Sequence, residues 1–394
     1  MKVLIVTETL NEGGAELFLL RLARGLITAG VEVQVVSLNS RFENKDITSL
    51  YRDVPINRFS LPFFAVIDFF DKTILRLGID FSLRYFLQGR QLKKLSKGFD
   101  IIHSHYIQVD YLITTIRKEI TCRHIVTVHG DYSSQYDSYR KGELRLWLRL
   151  DKKLKQLNKY VEQWVVLSEE QRNFLKEKMT TPGERITKVY NGIYAYETDI
   201  NQENDDGIFT IGMVARGTQQ KGWQLLIDTF LRLPANCNLL LVGRGEYLDR
   251  LKCNYSDEKR ILFTGFQADT VSMMRHMDVF VLPTYYPFES LPNVISEALQ
   301  CGLPVVATDV GEIRQMITDA ETGNEAGFVI KTKDRQPDAE ELYDRLKYLY
   351  DHPDERMKMA VTAKAASKKF DMEKCIAAYQ QLYRKQLSLN FSEM

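Results

Sequence analysis

A chain of 394 residues is long for one domain, and 44% hydrophobic with 27% charged residues describes an ordinary globular protein able to bury two cores. Lys and Arg number 53 against 52 Asp and Glu, a net charge of +1, which argues against the large basic footprint of a nucleic-acid-binding protein. Five scattered cysteines (Cys122, Cys237, Cys253, Cys301, Cys375) have neither paired nor zinc-ligand spacing and read as reduced thiols of a cytoplasmic protein.

The opening run, MKVLIVTETL, is too short for a signal peptide or a membrane span and reads as a buried strand over Val3–Val6. A turn at Asn11 to Gly14 leads into a helical pattern with Leu17, Leu20, Leu22 and Leu26, and a strand follows over Val31–Leu38. This is the βαβ opening of a parallel, doubly wound sheet. Gly13 and Gly14 would let backbone N–H groups approach an anion, although a simple tight turn explains them equally well. The dinucleotide fingerprint G-x-G-x-x-G is absent, and Gly243-Arg244-Gly245 lacks the third glycine, which disfavours an NAD-dependent oxidoreductase.

Residues 58–97 interleave Phe59, Phe63, Phe64, Phe69, Phe70, Phe81, Tyr85 and Phe86 with Arg76, Arg84, Arg90, Lys93, Lys94 and Lys97. Such a segment either packs within its own domain or presents aromatics to a membrane interface. A second basic stretch, 140–159, sets Arg145, Arg149, Lys152, Lys153, Lys155 and Lys159 around Trp147, as a solvated face or a site for anionic lipid. The strand-like runs Ile101 to His105 and Ile125 to His129 both end in histidine. His103 and His105 share a strand face but have no evident third partner, so no metal site is expected. His129 stands at the carboxyl end of its strand, where doubly wound sheets bind ligands, and reads as a structural or a ligand-facing histidine. Strands near Gln163–Leu167 and Arg185–Val189 close the first half, Asn191-Gly192 turns the chain out of it, and the polar segment Tyr194 to Gly207 reads as a linker.

The alternation then restarts. A strand over Ile208–Val214 is followed by a loop with Arg216 and a helix starting at Lys221-Gly222. Two cations beside a helix N-terminus oppose its dipole, an arrangement that makes better sense with an anion present. Two strand-to-turn units end at Gly243 and at Gly265-Phe266. The stretch from Pro283 to Thr308 joins two strands through a loop and a helix expected from Pro292 to Cys301. It carries Glu289 in the loop and Glu297 on the polar flank of the helix, eight residues apart. Helices follow over Ala339–Tyr350, Arg356–Lys369 and Met372–Leu387.

The pattern Glu289, Glu297, Ala298, Gly302, Pro304, Val305, Val306 resembles that of the family-four retaining glycosyltransferases, which have the double-Rossmann GT-B fold. Gly13-Gly14, Thr127 to Gly130, Tyr190-Asn191-Gly192, and Arg216 with Lys221 and Gly222 match the family in order, so the resemblance covers nearly the whole chain. It implies two Rossmann-like doubly wound α/β domains facing a central cleft, an acceptor domain over 1–195 and a nucleotide-sugar domain over 196–371, with the helix at 372–394 crossing back onto the first. It also implies sugar transfer from a UDP-sugar or GDP-sugar to a glycan or lipid-linked glycan acceptor. Among the matching residues, His129 would face the donor sugar, Arg216 and Lys221 would hold the diphosphate, and Glu289 would stand near the sugar. Gly13, Gly14, Asn191, Gly243, Phe266, Phe288, Ser290 and Leu291 would line the donor, and Glu297 would accept from the ribose hydroxyls. No Asp-x-Asp occurs, so neither a metal nor another cofactor is expected, the fixed cations serving instead. A sugar-nucleotide epimerase of related fold and a non-catalytic sugar-nucleotide sensor remain the alternatives. Peripheral contact with the inner membrane face through 58–97 and 140–159 is the further expectation.

Overall fold

The computed structural model describes residues 1–11, 13–130, 132–141, 149–195, 207–333 and 336–389. Arg145 and Trp147 of the second basic stretch, Asp131 after Gly130, and most of the expected linker lie outside the described residues. The chain divides into two compact units, Met1–Gly192 with Met372–Met394, and Ile193–Asp371.

The N-terminal unit is built on seven strands: β1 (Lys2–Thr7), β2 (Glu32–Ser37), β3 (Ile56–Arg58), β4 (Ile101–His105), β5 (Arg123–Thr127), β6 (Gln163–Val166) and β7 (Ile186–Lys188). Every pairing is parallel, in the order β3-β2-β1-β4-β5-β6-β7. The strands are near-continuous apolar runs because helices cover both faces of such a sheet. Leu4, Val6, Ile102, Val109 and Leu112 form part of one core layer, and Val126, Trp164, Val166 and Phe174 part of another. The short strand Ile56–Arg58 carried no period-2 signal and was not anticipated. The aromatic segment after it resolves into two helices, Phe64–Arg76 and Leu83–Leu95.

The C-terminal unit repeats the plan with β8 (Phe209–Val214), β9 (Cys237–Val242), β10 (Ile261–Gly265), β11 (Val279–Leu282), β12 (Val305–Thr308) and β13 (Gly327–Ile330), parallel in the order β10-β9-β8-β11-β12-β13. In both units the first strand lies beside the fourth. Each sheet therefore has its winding reversal between those two strands, the place where open α/β sheets receive ligands at their carboxyl ends.

The helix expected from Pro292 forms over Asn293–Gln300, with Pro292 just outside it in extended conformation. The helix expected from Arg356 starts earlier, at Pro353, since proline suits the first helical turn. The last helix, Met372–Ser388, packs on the N-terminal unit. Tyr379 and Tyr383 are fully buried there, Gln386 Nε2 donates to Gln163 Oε1 at 2.9 Å, and Gln380 Nε2 donates to the Ala29 carbonyl at 3.1 Å.

Candidate functional site

In the C-terminal unit the loops at the carboxyl ends of the strands are tied to one another by their backbones. Gly243 N–H donates to the Gly265 carbonyl at 2.9 Å, Gly217 N–H to Arg244 at 2.8 Å, Tyr285 N–H to Gln220 at 2.8 Å, and Glu312 N–H to Ser290 at 2.8 Å. This series runs across the sheet from β10 to β12. The buried Trp223 anchors the β8 loop from below, its indole N–H donating to the Arg216 carbonyl at 3.0 Å. Backbone groups committed in this way leave the loops little freedom, so side chains on them are held in place.

Across the reversal point, between the β8 loop and the β11 loop, the ammonium of Lys221 donates to Glu289 Oε2. Both side chains are about nine-tenths buried, at 10% and 12% exposure. Thr284 Oγ1 lies 3.3 Å from the same oxygen and 3.3 Å from the Gln220 carbonyl. Glu289 Oε1 has no hydrogen bond among the described residues. Arg216 and Lys221 both lie over the ring of Tyr286, at 6.0 and 5.3 Å from its centroid, and that ring meets Phe288 edge-on at 5.4 Å. The anion that a cation-bearing helix start called for is thus present within the chain as the Glu289 carboxylate. On the next helix Glu297 is buried and accepts from Thr270 Oγ1 at 2.8 Å, and Ser290 and Leu291 are buried beside it. Arg244, next to Gly243, lies 4.5 Å from the ring centroid of Phe266. Arg216, Lys221, Gly243, Phe266, Phe288, Glu289, Ser290, Leu291 and Glu297 therefore all belong to the carboxyl-end loops of one sheet, or to the helix following one.

The N-terminal unit holds the others. Gly13 directly precedes the helix Gly14–Thr28, and a Cβ there would lie 2.1 Å from Glu16 Oε2, so the anion against this turn is the helix's own first-turn carboxylate. Asn191 is buried, and a Cβ on Gly192 would stand 2.8 Å from the Met372 Cα. Gly192 thus has a packing role, admitting the start of the last helix, that its reading as a simple turn missed.

Four of the six histidines are fully or almost fully buried in this unit. His103 Nδ1 meets the Tyr383 hydroxyl at 2.8 Å and its Nε2 meets Thr127 Oγ1 at 2.8 Å, which in turn meets the Tyr379 hydroxyl at 2.9 Å. His105 Nδ1 meets His129 Nε2 at 2.7 Å, the rings stacked with centroids 5.0 Å apart. His124 Nε2 reaches Ser104 Oγ at 2.8 Å, Ser104 donates to Asp110 Oδ1 at 2.6 Å, and the Tyr132 hydroxyl donates to Asp110 Oδ2 at 2.7 Å. Burial holds the His103 and His129 imidazoles down at about 3, helped at His103 by the His129 charge, and holds His105 and His124 well below the ordinary range. Burial pushes the Asp110 carboxyl up to about 7 against the pull of its Ser104 and Tyr132 hydrogen bonds.

Neutral imidazoles carry one N–H each, and the unpartnered atoms assign it. His105 Nε2 is buried with no partner. A bare nitrogen is cheaper to leave unpaired there than an N–H, so His105 Nδ1 carries the proton and donates to His129 Nε2. His129 then carries its own proton on Nδ1. His103 has both nitrogens taken by hydroxyls, and among the described residues no group of three or more His, Cys, Asp or Glu side chains is disposed to hold a metal ion.

Sequence reasoning missed Thr284, Thr270, Tyr286, His105 and Tyr383 as partners of the expected site residues. Thr284 sits five residues before Glu289 in the same loop and was within reach of a local reading. Thr270 and Tyr383 lie 27 and 280 residues from their partners and left no local trace.

A model of Glycosyltransferase Family 4 matches residues 12–195, and a model of Glycosyl transferases group 1 matches residues 197–366. An uncharacterised glycosyltransferase of Methanocaldococcus jannaschii is 25% identical over 317 residues, 78% of this chain and 81% of its own. The Escherichia coli UDP-Gal:alpha-D-GlcNAc-diphosphoundecaprenol alpha-1,3-galactosyltransferase is 25% identical over 268 residues, 61% of this chain and 66% of its own. Among solved structures, Anabaena HepE in complex with UDP-glucose superposes with a TM-score of 0.75 at 20% identity, over 99% of this chain and all of that one.

Proposed function

The chain belongs to the glycosyltransferases of Family 4 and group 1, with the two Rossmann-like domains of the GT-B fold, and on that premise we propose that it moves a hexosyl group from a UDP-sugar to a glycan or lipid-linked glycan acceptor in surface polysaccharide synthesis, with retention and without a metal. The observation that carries this reading is the Lys221–Glu289 pair at the winding reversal of the C-terminal sheet, flanked by Arg216 and backed by Thr284. UDP is favoured as the leaving group because the Anabaena neighbour binds UDP-glucose and the E. coli relative is named for a UDP-Gal donor. The second is also named for a diphosphoundecaprenol-linked acceptor, which supports the lipid-linked class.

In this reading the donor diphosphate lies against Arg216 and Lys221, whose charges offset the negative charge that grows as the bond from C1 to the phosphate oxygen breaks. Glu289 stays in place through Lys221 and Thr284 and turns Oε1 to a sugar hydroxyl. It acts as a positioning group, and its bonding through Oε2 supports that over a mobile nucleophile. The new bond forms from the acceptor oxygen to C1 on the face the phosphate leaves, and a phosphate oxygen takes the acceptor proton, so the nucleoside diphosphate departs protonated. Glu297 is the ribose acceptor, oriented by Thr270; Gly243 and Phe266 border the base. The donor-side roles of Gly13, Gly14, Asn191 and His129 rest on the family resemblance.

The test is a melting series with UDP, GDP, ADP and NAD, each with and without EDTA, followed by NMR of the anomeric centre of any product. A UDP shift that survives EDTA and a product of unchanged anomeric configuration support the reading. An inverted product, a shift lost with EDTA, or conversion of donor without acceptor overturns, in turn, retention, metal independence and transfer.

A further inference from the structure

The helix Phe64–Arg76 faces the wrong way for a buried amphipathic helix. Its inward side contributes one buried apolar residue, Ile67, whereas Val66, Phe69, Phe70 and, just past its end, Leu77 are exposed, Phe69 at 70% and Leu77 at 71%. With Thr73 these lie at i, i+3, i+4, i+7 and i+11, one continuous stripe. Phe63, which precedes the helix, is 82% exposed and sits at φ 55. The left-handed region is costly for a bulky residue, and the ring held in it is displayed to solvent. Phe86 on the neighbouring helix Leu83–Leu95 is also exposed, with the Arg90 guanidinium 5.7 Å from its centroid.

The charge is balanced on the stripe's own helix, where Asp68 and Asp71 stand with Lys72 and Arg76 and Asp68 pairs with Lys72 at 2.7 Å, and is basic over the wider segment. Residues 58–97 hold eight Lys and Arg against three Asp, a net +5 in a chain whose total is +1. Lys72, Arg76, Arg90 and Lys94 are exposed on these two helices. No helix among the described residues is long and apolar enough to cross a membrane. We propose that this face docks on an anionic lipid surface, Phe63, Phe69 and Leu77 entering the headgroup boundary while the cations pair with lipid phosphates. An apolar stripe of aromatics bordered by Arg and Lys has the chemistry of an interfacial helix. A second copy of the chain is a poor occupant, because it would bring the exposed cations Arg76, Arg90 and Lys94 of two copies together.

The proposal does not depend on the transferase site, and its failure would leave that reading untouched. The experiment is co-sedimentation of the full chain with vesicles of phosphatidylcholine alone or mixed with phosphatidylglycerol, comparing wild type, F69S/L77S and R76E/R90E. All four positions are exposed, so the variants should keep the wild-type melting point. Wild type pellets with the anionic vesicles and not the neutral ones, and each double variant lowers the bound fraction roughly tenfold. Raising salt from about 0.05 to 0.5 M releases the wild type as screening shortens the charge interaction. Wild type left in the supernatant at low salt overturns the proposal. So does pelleting of F69S/L77S like wild type, or a dimer in sedimentation velocity that F69S/L77S dissociates.

Discussion

The backbone of Gly222 passes so close to Pro283 that a Cβ on the glycine would lie 2.2 Å from the proline carbonyl oxygen, and Gly222 itself sits at φ +85. This approach brings the β8 loop, with Lys221, against the β11 loop, with Glu289. Gly222→Ala should cost roughly 2–4 kcal/mol from the strained conformation and the overlap together. Urea unfolding measures it, and a loss below about 1 kcal/mol would mean that the two loops are not in register as described.

Lys221→Ala strands the buried Glu289 carboxylate and, on the proposed function, removes one of the two cations set against the diphosphate. Turnover should fall about 100- to 1,000-fold, in the range of other fixed electrostatic donors, with a stability loss of roughly 3 kcal/mol from the uncompensated charge. Adding Glu289→Gln to Lys221→Ala should restore most of that stability and none of the turnover. Steady-state rates and melts of Lys221→Ala, Glu289→Gln and the double variant test this, and additive stability losses would show that the two side chains do not interact.

His105→Leu should cost transfer without unfolding the unit, because it removes the N–H that holds the His129 proton on Nδ1. His105→Asn keeps an amide donor and should rescue part of the rate. Nitrogen-15 NMR of the His129 ring reads the tautomer directly. Unchanged ring shifts in His105→Leu would rule out the positioning role.

The buried histidines make the N-terminal unit acid-sensitive. Each is neutral when folded and takes up a proton near 6.5 when unfolded, so the unfolded state binds more protons as pH falls. Their stabilising contribution is complete above about 6.5 and is lost as pH falls from there, toward about 3 for His103 and His129, by up to about 1.4 kcal/mol per pH unit for each group. Asp110 acts oppositely: its folded carboxyl protonates at about 7, so it favours the folded state as pH falls from 7 toward 4. Four histidines outweigh one aspartate. Urea midpoints should drop steeply between pH 7 and 5, and a flat profile would show that the imidazoles are hydrated.

The architecture was legible in the sequence because its signals are local. Apolar runs of four to six residues, each followed by a turn and a helical pattern, spell out a doubly wound sheet twice, and the glutamate pair with Gly302 and Pro304 marks one strand-loop-helix unit by short-range spacing. The residues expected at the C-terminal site meet because parallel strands put all their following loops at one end of a sheet, a consequence of topology that alternation alone predicts. What only the tertiary structure decided is which groups touch. Lys221 and Glu289 are 68 residues apart, His105 and His129 are 24 apart, and His103 finds Tyr383 from the far end of the chain. Those contacts depend on side-chain direction and on how closely two loops or a strand and a helix approach, and no period or motif encodes that. The outward stripe on Phe64–Arg76 is the same lesson in reverse. Its sequence left inward packing and outward display both open, because which side faces the core depends on what the rest of the fold offers it.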